Sequence, residues 1–508
     1  MEDNSVGTNL MVPCQRITTT IDKNLIITSS GNLIRVLELS NGRLVSCEIS
    51  DGSDRSSDSH TGLIRSLLVI ENRCGGTDPQ LLVSTGEDKL LKIWKLPTLS
   101  LISSRELVKR PTSIAISPDG KSIVIADKSG DFYDLPIDCP SDTEFLADPD
   151  QEEVSDESLS KTLKPIAGHV SVITSIALIP PGRSDSLLVT ADRDEHVRLS
   201  NYPNSWSIYG YLLGHSRFVS ALLWVDCEGI DGGVLLSGGG DDEVYVWDHL
   251  ALKCRRRIAV GDPLKDGLKV WPLKTNWFNS KRNNKRKAQN NGDESESQDK
   301  NQNSTIRNQR CCCINKIICT RPLDSKNKNR FFIITSVGSS TLAIIPMSAA
   351  LGEESDQKVM FHDFMDPILD VIDVSSPSSS SAESGHSQIM VSLDTSVRSS
   401  NEPSLPLFRI LSIDGSEVKE LVDYPNLIKL NENASVTVKS IDEISKQEDL
   451  YPELLLFSKD QSIVRSNVKS FDDSKDEIRL GGRNGKKAEG RVIVQERVQK
   501  YLENMKSK

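Results

Sequence analysis

Apolar residues fall in short runs rather than at helical spacing. Leu25-Ile26-Ile27-Thr28, Leu33-Ile34-Arg35-Val36-Leu37, Thr112-Ser113-Ile114-Ala115-Ile116 and Phe331-Phe332-Ile333-Ile334 are four to six residues long and rich in Ile, Val and Leu. Gly, Asp and Ser separate them, as in Ser117-Pro118-Asp119-Gly120. Runs of this length between turn residues predict short β-strands. The pattern changes only near the end of the chain. Val494, Val498, Tyr501, Leu502 and Met505 recur at the spacing of one helix face among Lys and Arg, which predicts a basic amphipathic helix over 491–506.

The strand runs repeat. Leu82-Val83-Ser84-Thr85-Gly86-Glu87-Asp88 leads to Trp94, and Leu236-Ser237-Gly238-Gly239-Gly240-Asp241 leads to Trp247. Between them Leu188-Val189-Thr190-Ala191-Asp192-Arg193-Asp194 leads to Ser200, where a Trp is expected. In each case an Asp precedes the Trp slot by six residues, and a His lies 25–28 residues before that Asp: His60, His169 and His215. Such repeats are the signature of a WD-repeat β-propeller, in which a blade that cannot bury both faces alone stacks on its neighbours in a ring. The expected fold is all-β with seven blades. The interval from Trp94 to Trp247 gives about 51 residues per blade against the usual roughly 40–45, so the loops carry insertions.

Ser, His and Asp in each blade invite comparison with a catalytic triad. A triad occurs once, whereas His60/Ser84/Asp88 and His215/Ser237/Asp241 repeat one arrangement. They read as a buried network, completed by Trp94 and Trp247, that ties strands to turns. By spacing, Asp194 is the turn carboxylate of the middle repeat.

The chain divides into a flexible N-terminus at 1–16, a propeller at 17–460 and a C-terminal tail at 461–508. Blades are expected over 17–50, 60–102, 108–138, 165–211, 214–258, 313–348 and about 366–425, with 452–458 closing the ring as a final strand. Three inserts interrupt them: acidic at 138–160, between the third and fourth blades, basic then polar at 275–310, and Ser-rich at 375–388.

Charge narrows the function. The chain has 508 residues, a net charge of −11 and a pI near 5.3, which argues against a dedicated nucleic-acid binder. Locally the balance reverses. Residues 253–287 hold 12 Lys or Arg against two Asp and end in Lys281-Arg282-Asn283-Asn284-Lys285-Arg286-Lys287, which reads as a solvated loop, a nuclear-localisation signal or an RNA-phosphate contact. No apolar run reaches 18 residues, so no membrane span is expected, and the acidic N-terminus lacks a signal-peptide pattern. Ten scattered Cys suggest a reducing compartment. Cys311-Cys312-Cys313 with Cys319 lacks the His or second Cys pair of a metal site, and neither a Gly-x-Gly-x-x-Gly nor a His-Glu-x-x-His motif occurs. Catalytic, cofactor and metal residues are therefore not expected.

One ordered set of segments is more specific. Lys109-Arg110-Pro111-Thr112, Ala126-Asp127-Lys128-Ser129-Gly130-Asp131, Gly168-His169-Val170-Ser171, Asp192-Arg193-Asp194-Glu195-His196-Val197-Arg198, Tyr202-Pro203 and Gly214-His215-Ser216-Arg217 follow one another. This resembles the non-catalytic WD-repeat subunit of the eukaryotic tRNA (guanine-N7-)-methyltransferase, densely over about 109–248. The resemblance implies a nuclear scaffold that forms a heterodimer with a catalytic subunit. That partner, not this chain, holds S-adenosylmethionine and methylates a guanine in the tRNA variable loop. It also implies an interface that includes Lys128, Arg193, Asp194 and Arg198. Lys128 and Arg193 hold equivalent turn positions in neighbouring blades and should project from one face. A general WD-repeat adaptor, such as a ubiquitin-ligase substrate receptor or a ribosome-assembly scaffold, explains the propeller equally well but not these segments.

Overall fold

A computed structural model describes residues 10–47, 58–70, 80–137, 164–179, 186–227, 230, 232–270, 311–320, 330–352, 358–375, 386–397, 406–415, 417–438 and 450–453. These form seven four-stranded antiparallel sheets, each a meander in chain order. Blade one comprises Arg16–Thr19, Leu25–Ser30, Leu33–Glu38 and Leu44–Cys47. Blade two comprises Ile64–Ile70, Leu81–Gly86, Leu90–Lys95 and Ser100–Glu106. Blade three comprises Pro111–Ile116, Ser122–Asp127, Asp131–Pro136 and Ala167–Gly168. Blade four comprises Ile173–Ile179, Ser186–Asp192, Val197–Tyr202 and Ile208–Leu212. Blade five comprises Val219–Val225, Val234–Gly239, Glu243–Asp248 and Lys253–Ala259. Blade six comprises Ile314–Cys319, Phe331–Ser336, Thr341–Pro346 and Met360–Asp363, and blade seven Ile368–Asp373, Ser387–Leu393, Phe408–Asp414 and Glu417–Glu420.

The first strand of each blade lies beside the first strand of the next, and that of blade seven beside that of blade one, which closes the ring. In blades two to seven the first strand shifts register near its start, as between Ile173 and Ser175. Such bulges add twist and bend each inner strand. The core consists of apolar clusters between blades. One joins Val197, Leu199 and Leu212 of blade four to Leu235, Tyr245 and Trp247 of blade five.

Two expectations need correction. The acidic insert lies within blade three rather than after it, because the chain returns across it to pair Gly168 with Asp131 and Ala167 with Phe132. The N-terminal segment is part of the fold from Leu10 onward: Leu10–Val12 pairs antiparallel with Val436–Val438. The joint between blades seven and one is covered by this ribbon and by the helix Leu427–Ala434. Leu427, Leu430 and Ala434 of that helix pack among Ile17, Leu37, Met390 and Phe408, because a helix can cover apolar surface left between two sheets. Of the proposed closing strand, 454–458 lies outside the described residues. Tyr451 is buried and donates to Asp394 over 2.6 Å.

The Ser-rich insert is shorter than expected, since Ser387 and Gln388 already pair with Ile413 and Ser412. The inserts at 138–160 and 275–310, residues 376–385 and the unit 461–508 with its helical pattern lie outside the described residues.

Candidate docking face on blades three and four

The turn between the second and third strands is built alike in blades two and five. His60 contacts Asp88 through Nδ1 at 2.9 Å and Ser84 through Nε2 at 2.8 Å, and the Trp94 indole donates to Ser84 Oγ at 2.8 Å. His215, Asp241, Ser237 and Trp247 repeat this with all three distances at 2.7 Å. A carboxylate at Nδ1 holds the proton there. Nε2 then accepts from the Ser hydroxyl, which accepts from Trp. Burial acts to raise the pKa of Asp88 and Asp241, but their hydrogen bonds from His60 and His215 hold both below the usual range.

Blade four departs from this plan. His169 Nε2 meets Thr190 Oγ1 at 2.7 Å, but its Nδ1 meets Asp192 at 3.0 Å, not Asp194. Asp192 also accepts from the backbone N–H of Asp194 at 2.8 Å and of His196 at 3.0 Å. Burial opposes its ionisation, yet these bonds and the His196 ring hold its carboxyl far below the usual range. The expectation that Asp194 is the turn carboxylate is therefore corrected, and Asp194 is left half-exposed. Ser200, in the Trp slot, is fully buried with its hydroxyl unbonded.

Blade three uses the same alternative turn. Asp127 accepts from the N–H of Ser129 at 2.7 Å and of Asp131 at 3.2 Å. The turn needs a left-handed residue, supplied by Gly130 (φ +98°) and, in blade four, by Glu195 (φ +74°). A Cβ on Gly130 would stand 2.4 Å from the carbonyl oxygen of Ser171, so this turn can pack against the segment 169–171 only with Gly there.

This packing joins Lys128 and Arg193 to a shared segment. His169 N–H donates to Gly130 O at 2.7 Å, and Arg193 N–H donates to Val172 O at 3.1 Å. Val170, on that segment, is fully exposed. Lys128 is exposed and Arg193 half-exposed. Among the described residues neither has an ion pair. The equivalent residue of blade two, Glu87, is engaged by Arg65 at 2.7 Å and by Arg110. Blades three and four thus present two uncompensated cations on one face.

Arg198 does something different. It is only 7% exposed, donates to Gly168 O at 2.9 Å, and lies 5.5 Å from the ring centroid of Phe132 in blade three. Lys92 holds the same slot in blade two and caps Asp58 O at 2.6 Å. Arg198 is placed to hold blade four against blade three and so to position the turns. Sequence reasoning passed over Asp192 as a functional position. Aligning the Ala126-Asp127-Lys128 and Ala191-Asp192-Arg193 triplets, rather than counting back from the Trp slot, would have found it.

Cys312 and Cys313 are buried, and burial pushes the Cys312 thiol up to about 12. Among the described residues no group of three or more His, Cys, Asp or Glu is arranged to hold a metal ion.

The chain matches the family model described as tRNA methyltransferase TRM82 WD40 domain over residues 51–167 and 141–405. It is 29% identical over 220 residues to the tRNA (guanine-N(7)-)-methyltransferase non-catalytic subunit TRM82 of Candida glabrata, which covers 42% of this chain and 48% of that protein. It is 34% identical over 175 residues to the Saccharomyces cerevisiae protein of the same name, covering 34% of each. The trm82 protein of Aspergillus oryzae is 34% identical over 204 residues, or 32% of this chain and 41% of the relative. The match spans less than half the length of each of these relatives.

Proposed function

This chain belongs to the TRM82 WD40-domain family, and from that membership we propose that it is the non-catalytic scaffold subunit of a tRNA guanine-N7 methyltransferase. In this reading it forms a heterodimer with a catalytic subunit that carries S-adenosylmethionine and methylates a guanine in the tRNA variable loop. The chain contributes a rigid docking face and no reacting group. The observation that carries the proposal is the pair of uncompensated cations, Lys128 and Arg193, on adjoining turns of one design. Two cations fixed by a shared backbone segment suit an acidic patch on a partner, and such complementarity favours both encounter and register. Because the turns are hydrogen-bonded in advance, docking costs little ordering entropy.

The basic run Lys281–Lys287 supports a nuclear location for the complex. The test is co-expression with the catalytic subunit. Co-purification in equal amounts and a large gain in N7-methylguanosine in tRNA are expected. The absence of both would overturn the proposal.

A further inference from the structure

The outer rim of blades four and five carries a second charged surface. An edge strand normally buries alternate side chains, but Lys253, Cys254, Arg255, Arg256 and Arg257 are five consecutive exposed residues, and only then is Ile258 buried. A register shift between Val246 and Trp247, opposite Cys254–Arg256, interrupts the alternation. Four cations in five residues repel one another, and little on the protein offsets them. Arg255 reaches Asp248 at 2.7 Å. Arg256 donates to Ala349 O at 2.5 Å, and Arg257 lies 4.9 Å from the ring centroid of Tyr245. Among the described residues, only Arg255 of the four has a carboxylate within 4 Å.

Exposed aromatics adjoin this strand. Trp206 is 76%, Tyr209 43% and Tyr211 41% exposed on or just before the outermost strand of blade four. The two rims are in contact. Tyr209 donates to Leu250 O at 3.0 Å, and the Leu252 side chain occupies the space that a Cβ on Gly210 would need. Toward Gly214, Asp241, Asp242 and Asp262 line a cavity beside Arg257, which makes that end unfavourable to an anion.

We propose that the rim of blades four and five is an RNA-binding track for the tRNA, with phosphates against Lys253 and Arg255 and an unpaired base against Trp206 or Tyr209. Cations beside exposed aromatic faces are the composition that single-stranded RNA requires, one supplying the backbone term and the other stacking. A protein partner would need matching acidic and apolar surfaces, whereas RNA offers both chemistries in every nucleotide. The inference rests on the tRNA methyltransferase reading, and it locates the RNA away from the turns of Lys128 and Arg193.

The experiment measures binding of an unmodified tRNA transcript to the full chain and to its complex with the catalytic subunit, across a salt series. For the double variant K253E/R255E, affinity at low salt should fall about tenfold and the slope of log K against log salt should flatten by about 2. Trp206→Ala should weaken binding severalfold with the slope unchanged. In methylation assays both should raise KM for tRNA and leave kcat, thermal stability and co-purification intact. Wild-type tRNA affinity in both variants would overturn the track. Loss of co-purification with tRNA affinity retained would also overturn it, by making the rim a protein contact. Failure of the wild-type chain to assemble with the catalytic subunit would count against the methyltransferase reading alone, since transcript binding by the full chain tests the rim separately.

Discussion

His169 contacts Asp192 at 3.0 Å, although Asp194 stands where blades two and five place their turn carboxylate. Moving the carboxylate back two residues frees the tip of the turn, where Arg193 sits. Blade three makes the same move with Asp127 and presents Lys128.

Asp192 should therefore matter to stability and Asp194 should not. Asp192→Ala removes the partner of a buried His and of two backbone N–H groups, a loss of about 3 kcal/mol. Asp194→Ala should stay within about 0.5 kcal/mol, as for an ordinary surface change. Urea denaturation of both variants decides this. The reverse ranking would restore Asp194 as the turn carboxylate.

Lys128→Glu and Arg193→Glu should leave the unfolding midpoint unchanged and weaken association with the catalytic subunit. The double variant is expected to lose at least about tenfold in affinity, most strongly at low salt. Calorimetric titration at two ionic strengths measures it. Wild-type affinity in the double variant would remove these residues from the interface.

Arg198→Ala separates positioning from contact. Losing the bond to Gly168 O and the stacking on Phe132 should cost about 1–3 kcal/mol of stability. Binding should weaken only in proportion to the disturbed turns. A variant with an unchanged melting temperature and abolished binding would instead make Arg198 a direct contact.

Acid should destabilise blade four. Burial lowers the pKa of His169 from its ordinary 6.5 despite its bond to Asp192. Its native form is neutral, so its contribution is present above pH 6.5 and falls as pH drops from there through its native value. Asp192 is also depressed, from an ordinary 3.8, and its contribution is lost further down. Stability should thus rise with pH up to about 6.5, followed by thermal melts in steps of half a pH unit. A flat profile from pH 4.5 to 7 would contradict the assignment. Thr190, which bonds Nε2, does not titrate and leaves that slope in place.

Removing residues 1–12 deletes the strand paired with Val436–Val438. The joint of blades seven and one should then open first. Amide exchange is expected to rise in Leu427–Ala434 while blades three to five keep their protection. Unchanged exchange in that helix would show that the ribbon does not hold the closure.

The strand runs, the repeat and the His, Ser, Asp and Trp of blades two and five were legible in the sequence. Each depends on local spacing: a strand alternates by two, and a turn of fixed length brings Ser84 and Asp88 to His60 wherever the blade lies. The cationic tips Lys128 and Arg193 were legible for the same reason. What spacing could not decide was every contact made across the fold. Asp192 and Asp194 are both within reach of the turn; blades two and five have Gly86 and Gly239 where blade four has Asp192, and only the contact with His169 shows which carboxylate is used. Arg198 looks like a surface cation until Phe132 of the neighbouring blade covers it. The return of Ala167–Gly168 across the acidic insert and the pairing of Leu10 with Val438 join residues far apart in the chain, and no local pattern encodes such a partner. Those choices were made by packing, because a closed ring must pair its last blade with its first.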